Sequence, residues 1–220
     1  MNRDRLVLGP VQNPVRVLLH GGAAVLSAVG TLVLWRNASG DPARLTALVV
    51  FGLSMVALFT VSSLYHSADW DRDAKKRLQR LDHSMIYVLI AGTYTPFATA
   101  ALDGWQRTAV LACTWSIALG GILQKVFFPA VRKRWSVAAQ LVQGWLIVPV
   151  LVPLAHHLPI GAVLLLIGGG AAYTAGALFY VSQRPRLWPR VFSYHELFHV
   201  CVVLAAALHY TAALRYVAPR

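Results

Sequence analysis

The chain has 220 residues, of which 57% are hydrophobic and only 13% charged, with a mean hydropathy of +0.57. That balance leaves too little polar surface to coat a water-soluble globule, so composition excludes a soluble domain and predicts an all-α membrane protein. The net charge of +12 sorts by loop, as orientation in a membrane and attraction to anionic lipid require, so membrane lipids are the expected partners and no nucleic acid is predicted.

A bilayer span takes about 20 largely apolar residues. Seven segments qualify, at about 15–35, 45–65, 82–102, 108–129, 136–155, 160–182 and 195–217. Short connections join them, which predicts one seven-helix transmembrane domain over residues 1–220. The opening Met1-Asn2-Arg3-Asp4-Arg5 is polar, and no short apolar run with a small-residue cleavage site follows it, so the first span is expected to be retained.

Basic residues alternate between the two sides. Arg3, Arg5 and Arg16 precede the first span; Arg72, Lys75, Lys76, Arg77 and Arg80 follow the second. Lys125, Arg132, Lys133 and Arg134 follow the fourth, and Arg184, Arg186 and Arg190 the sixth. Against these fifteen, the opposite side holds five, namely Arg36, Arg44, Arg107, Arg215 and Arg220. Because Lys and Arg are retained in cytoplasmic loops, this split predicts a cytoplasmic N-terminus and an outside C-terminus. The expected location is the bacterial inner membrane, as a resident multi-pass protein.

Trp35, Trp105, Trp188, Tyr65 and Tyr216 fall near span ends, where amphipathic rings favour the headgroup zone. Pro42, Pro159, Pro185 and Pro189 are expected in loops, whereas Pro96, Pro149 and Pro153 lie inside spans and should kink them. The small residues 168–172 should let helices approach closely. Cys113 and Cys201 both sit in apolar segments and form neither a disulfide framework nor a thiolate metal site.

Polar residues then collect at one depth. The second span ends at His66, the third begins with Asp82, and the seventh begins with His195 and His199. His195 and His199 stand four apart, on one face of a helix about one turn from each other, a common chelating pair. Ser62 has the same spacing from His66. Three imidazoles and a carboxylate at the edge of hydrocarbon point to a bound metal.

The pattern Ser62-x-x-x-His66, Asp82 and His195-x-x-x-His199 resembles the hemolysin III branch of the progestin and adipoQ receptor (PAQR) family, within the CREST superfamily of membrane hydrolases. The phrases Ser-Ser-Leu-Tyr-His-Ser (62–67), Leu-Asp-His-Ser-Met-Ile-Tyr (81–87), Ala-Gly-Thr-Tyr-Thr-Pro-Phe (91–97) and Tyr-His-Glu-Leu-Phe-His (194–199) strengthen it, and the resemblance extends over the full chain. It implies seven spans and a zinc ion held by His66, His195 and His199 near the cytoplasmic face, with Asp82 reaching the ion through water and Ser62 beside it. The long N-terminal region of the animal hormone receptors in that group is not in this sequence, so a hormone-receptor role is not expected.

The chemistry also stands by itself. Three neutral imidazoles leave zinc an exchangeable position, the arrangement of a catalytic site. Asp82 would accept the proton of an attacking water and Ser62 would donate to a developing oxyanion. A site open to both lipid and water suits an amphiphile, so hydrolysis of a lipid amide or ester is the leading expectation, ceramide-like amides being what the resemblance suggests. Two other readings stay open: a receptor or lipid-homeostasis sensor in which the metal only ties helices together, and a pore-forming cytolysin. Residues 195–199 also read His-Glu-x-x-His, the zincin signature, with Glu196 as base. An intramembrane protease would then need Asp82 as third ligand and would leave His66 unexplained. Glu196 is therefore expected to support the site or lie at the interface. His20 and His209 are read as hydrogen-bonded structure, His83 as interfacial, and His156 and His157 as solvated loop residues.

Overall fold

A computed structural model describes residues 11–38, 40–188 and 191–219; Arg3, Arg5, Pro189, Arg190 and Arg220, which entered the expectations above, lie outside them. The described residues form eight α-helices and no strand: α1 (Pro14–Asn37), α2 (Pro42–Ser67), α3 (Arg72–Ala101), α4 (Gly104–Phe127), α5 (Lys133–Trp145), α6 (Leu151–His157), α7 (Ile160–Ser182) and α8 (Tyr194–Tyr216). Helix starts follow local chemistry. Pro14 and Pro42 take the first helical position, where a missing N–H leaves nothing unpaired. The Asp41 carboxylate accepts the N–H groups of Ala43 and Arg44. Asp71 accepts those of Asp73 and Ala74, and these bonds hold its carboxyl below the usual carboxylate range.

Six segments are long and apolar enough to cross a membrane: α1, α2, α4, the stretch Lys133–His157, α7 and α8. Large apolar side chains such as Leu18, Leu26, Leu119 and Ile160 face outward from them, a surface suited to lipid rather than water. The expected spans match α1, α2, α4, α7 and α8 within a few residues.

The third helix departs from its expected limits. It begins at Arg72 rather than near 82, so Asp82 lies about three turns inside α3 and not at its start. Its later half carries Gly92, Thr93, Tyr94, Thr95 and Pro96 and is less apolar than the other six segments. The physical reason is its position: α3 packs against α2, α4, α5, α6 and α8, so much of its surface meets protein. It stays helical through Pro96.

The fifth expected span is interrupted. Pro149 cannot donate to the carbonyl of Trp145, and α5 ends at that tryptophan; a 3₁₀ turn, Val148–Val150, leads into α6. Near the break, Tyr94 donates from Oη to the carbonyl of Gly144 at 2.7 Å. Gln143, fully buried, donates to the carbonyls of Tyr87 (3.1 Å) and Thr114 (3.0 Å) and so ties α5 to α3 and α4. His156 and His157 end α6 rather than occupying a loop, and both are exposed.

Helix α1 packs on α2, α2 on α3, α3 on α4 and α7 on α8, and α1 against α8 closes the bundle. The small residues 168–172 act as expected: α7 and α8 pair extensively, and a methyl group at Gly169 would overlap the His209 ring. Cys113 and Cys201 are free thiols.

Candidate metal centre

At the end of the bundle where α2 finishes and α3 and α8 are entered, His66, His195 and His199 converge. One nitrogen from each ring lies within 4.8 Å of the others. Ring centroids are 5.5 Å apart for His66 and His195, 5.0 Å for His66 and His199, and 5.1 Å for His195 and His199. The last pair follows from one turn of α8; His66 is brought to it by the packing of α1 against both α2 and α8. His66 and His199 are buried, and His195 is half-buried.

Ser62 and Asp82 are both buried. The Ser62 hydroxyl lies in hydrogen-bonding reach of the Asp82 carboxylate. A cavity of about 540 Å³ is lined by Ser62, Asp82, His195 and His199. Leu58, Ile86, Tyr173 and Val202 border both it and a smaller apolar cavity of about 90 Å³ deeper in the bundle, near Phe97, Trp145 and Leu166.

The fit of this trio to a metal rests on His199. Its Nδ1 lies 2.9 Å from Nε2 and 3.1 Å from Nδ1 of His20, while its Nε2 is buried with no hydrogen-bond partner among the described residues. A buried ring nitrogen left over beside two other imidazoles has the chemistry to ligate a cation.

His20 was not expected here. It lies on α1, is 2% exposed, and stacks edge-on to Phe59 with centroids 5.0 Å apart. A lone histidine in an apolar span reads as ordinary packing, but its depth in α1 matches that of His199 in α8, which is the signal that identifies it. When Nδ1 of His199 carries the proton and donates to His20, Nε2 is the nitrogen left for a metal. His20→Leu should weaken metal affinity about 10- to 100-fold, with partial recovery in His20→Asn, read by competition with a chelating dye.

Glu196 is turned to other work. Its carboxylate accepts from Arg16 at 2.6 to 2.7 Å and from the backbone N–H of Ser193 at 2.8 Å, closing a capping box at the start of α8. Both members of the ion pair are buried. This arrangement locks α8 to α1 and explains the glutamate without a zincin role. His83, expected at the interface, lines the large cavity beside Arg80 and Lys125. His209 lies away from the trio and faces the carbonyl of Leu166 at 3.3 Å.

The sequence model of the group described as Haemolysin-III related matches residues 9–210. The chain belongs to the hemolysin III family. Hemolysin-3 of Bacillus cereus is 36% identical over 92% of this chain and 90% of its own. The Hemolysin-3 homolog of Bacillus subtilis (strain 168) is 35% identical over 90% and 91%. A more distant relative of this hemolysin III protein, the human Monocyte to macrophage differentiation factor, is 26% identical over 90% of this chain and 81% of its own. Family membership and six long apolar segments make the chain a multi-pass integral membrane protein.

Proposed function

We propose that this hemolysin III protein is a zinc-dependent hydrolase of a lipid amide or ester. It would cross the membrane seven times with α3 as the additional span, the N-terminus and the histidine cluster on the cytoplasmic side, in the bacterial inner membrane. The basic residues gathered at the ends of α2, α4 and α7 support that orientation. The observation that supports the catalytic reading is that the buried Ser62 and Asp82 line, with His195 and His199 of the histidine trio, a cavity that borders apolar space.

His66, His195 and His199 would hold the ion, and His20 would orient His199. Zinc, when bound, lowers the pKa of a coordinated water towards about 7 and polarises a carbonyl. Asp82 takes a proton from the attacking water and later returns one to the leaving amine or alcohol. Ser62, buried beside Asp82, can turn its hydroxyl to the oxyanion that forms at the scissile carbonyl. Buried apolar walls exclude bulk water from this exchange and seat an acyl chain. A ceramide-like amide is the first substrate class to try.

The test is release of labelled fatty acid from N-acyl and O-acyl lipids by protein in nanodiscs. Turnover should fall about 10²- to 10⁴-fold in Asp82→Asn, with metal content unchanged. Metal-replete protein that releases no acyl product would overturn the hydrolase reading and favour a sensor in which the ion only joins helices. The name of the Bacillus cereus relative supports a second reading as a cytolysin; lysis of red cells by added purified protein, independent of Asp82, would establish it.

A further inference from the structure

The large cavity has a second wall, and its chemistry is the opposite of the first. Lys76, Arg80, Lys125 and Lys133 line it, against Asp82 as the carboxylate among the lining residues. Lys125 is 9% exposed; its Nζ donates to Ser136 Oγ at 2.7 Å. Lys133 donates to the carbonyl of Tyr180 at 2.6 Å and lies 3.2 Å from the centroid of that ring. Neither lysine forms an ion pair with a carboxylate among the described residues. Tyr180 also touches the metal trio, its ring centroid 5.2 Å from that of His195.

Ammonium groups taken from bulk water are costly unless an anion meets them. Positive-inside orientation explains lysines in connecting loops, but it does not require Lys125 to turn inward and be buried in the cavity that reaches the histidines. Nor does attraction to the last carbonyls of α4 explain it, because its Nζ donates to the side chain of Ser136 on α5. Ser136, Tyr180 and the carbonyl of Tyr180 are neutral, so they position the two charges without cancelling them.

We infer that this basic wall is a subsite for an anionic headgroup, a phosphate or a carboxylate, on the amphiphile whose scissile bond lies at the histidine cluster. The inference rests on the lipid-hydrolase reading for the role of the bound amphiphile. Lys125 and Lys133 contact the anion directly, and Arg80 and Lys76 draw it in from the mouth of the cavity. Neutral ceramide-like amides would then be poorer ligands than their anionic counterparts.

Binding rather than turnover tests this. Phosphatidic acid and diacylglycerol carrying the same fluorescent acyl chain are titrated into the detergent-purified protein at fixed ionic strength. The wild type should prefer phosphatidic acid about tenfold or more, and Lys125→Gln with Lys133→Gln should remove that preference. Arg72→Gln with Arg77→Gln, two exposed basic residues of the same end, should keep it. Equal affinity for the two lipids, or a preference lost in the arginine pair and kept in the lysine pair, overturns the subsite. Should the lysine pair fail to fold, the wild type against the arginine pair still decides, since loss there means general surface attraction. Displacement of phosphatidic acid by equimolar inorganic phosphate would assign the wall to a free anion and overturn the lipid part. His195→Ala should retain the preference, so failure of the hydrolase reading leaves this result intact, and a subsite that fails leaves turnover assays untouched.

Discussion

Purified protein should carry about one zinc ion per chain, and each of His66→Ala, His195→Ala and His199→Ala should bring that content close to zero. The three ring nitrogens lie within 4.8 Å of one another, and two imidazoles alone seldom retain zinc against dialysis because structural and catalytic sites draw on at least three protein ligands. Elemental analysis of the four proteins after gel filtration checks this. Retention of metal in His66→Ala would mean that α2 does not contribute, leaving a chelate confined to α8. Affinity order alone would favour copper over zinc, so the same analysis reports which ion is present after expression in metal-balanced medium.

The second large effect concerns stability. Replacing Arg16 with Met leaves the Glu196 carboxylate buried without its ion partner, and removing one member of a buried pair costs about 3–5 kcal/mol. Glu196→Ala additionally takes away the capping box at the start of α8, worth about 1 kcal/mol. Both variants should unfold at clearly lower temperature in detergent. The double variant Arg16→Met with Glu196→Gln should recover part of the loss, because no uncompensated charge remains. Glu196→Gln should also keep bound metal once folded. A Glu196→Gln protein as stable as the wild type but inactive would instead return this residue to the chemistry, as a zincin reading requires.

Much of the architecture was legible from hydropathy, because a span in lipid must be apolar along its whole length, and α1, α2, α4, α7 and α8 obey that rule. The rule is weaker for α3, which meets protein on several sides and so tolerates threonines, tyrosines and a buried aspartate. Two prolines four residues apart in the fifth span signalled a kink; the break itself depended on Pro149 facing the carbonyl of Trp145, a detail of register. In the site, the i, i+4 spacing of His195 and His199 is local and readable, as is the Ser62 to His66 spacing. The pairing of His20 with His199 spans nearly the whole chain and carries no motif. The inward turn of Lys125 was hidden for a related reason: a lysine after a span is explained by orientation, and only packing against Ser136 distinguishes it.

The joining of α1 to α8 also sets the order in which the protein can mature. Arg16 and His20, made about 180 residues earlier, find Glu196 and His199 only when α8 has emerged from the ribosome and entered the bilayer. Until then α1 and α2 hold a single member of the histidine trio. Any metal held by all three histidines can therefore be loaded only once α8 has inserted, and a chain that stalls before α8 carries His66 without its two companions.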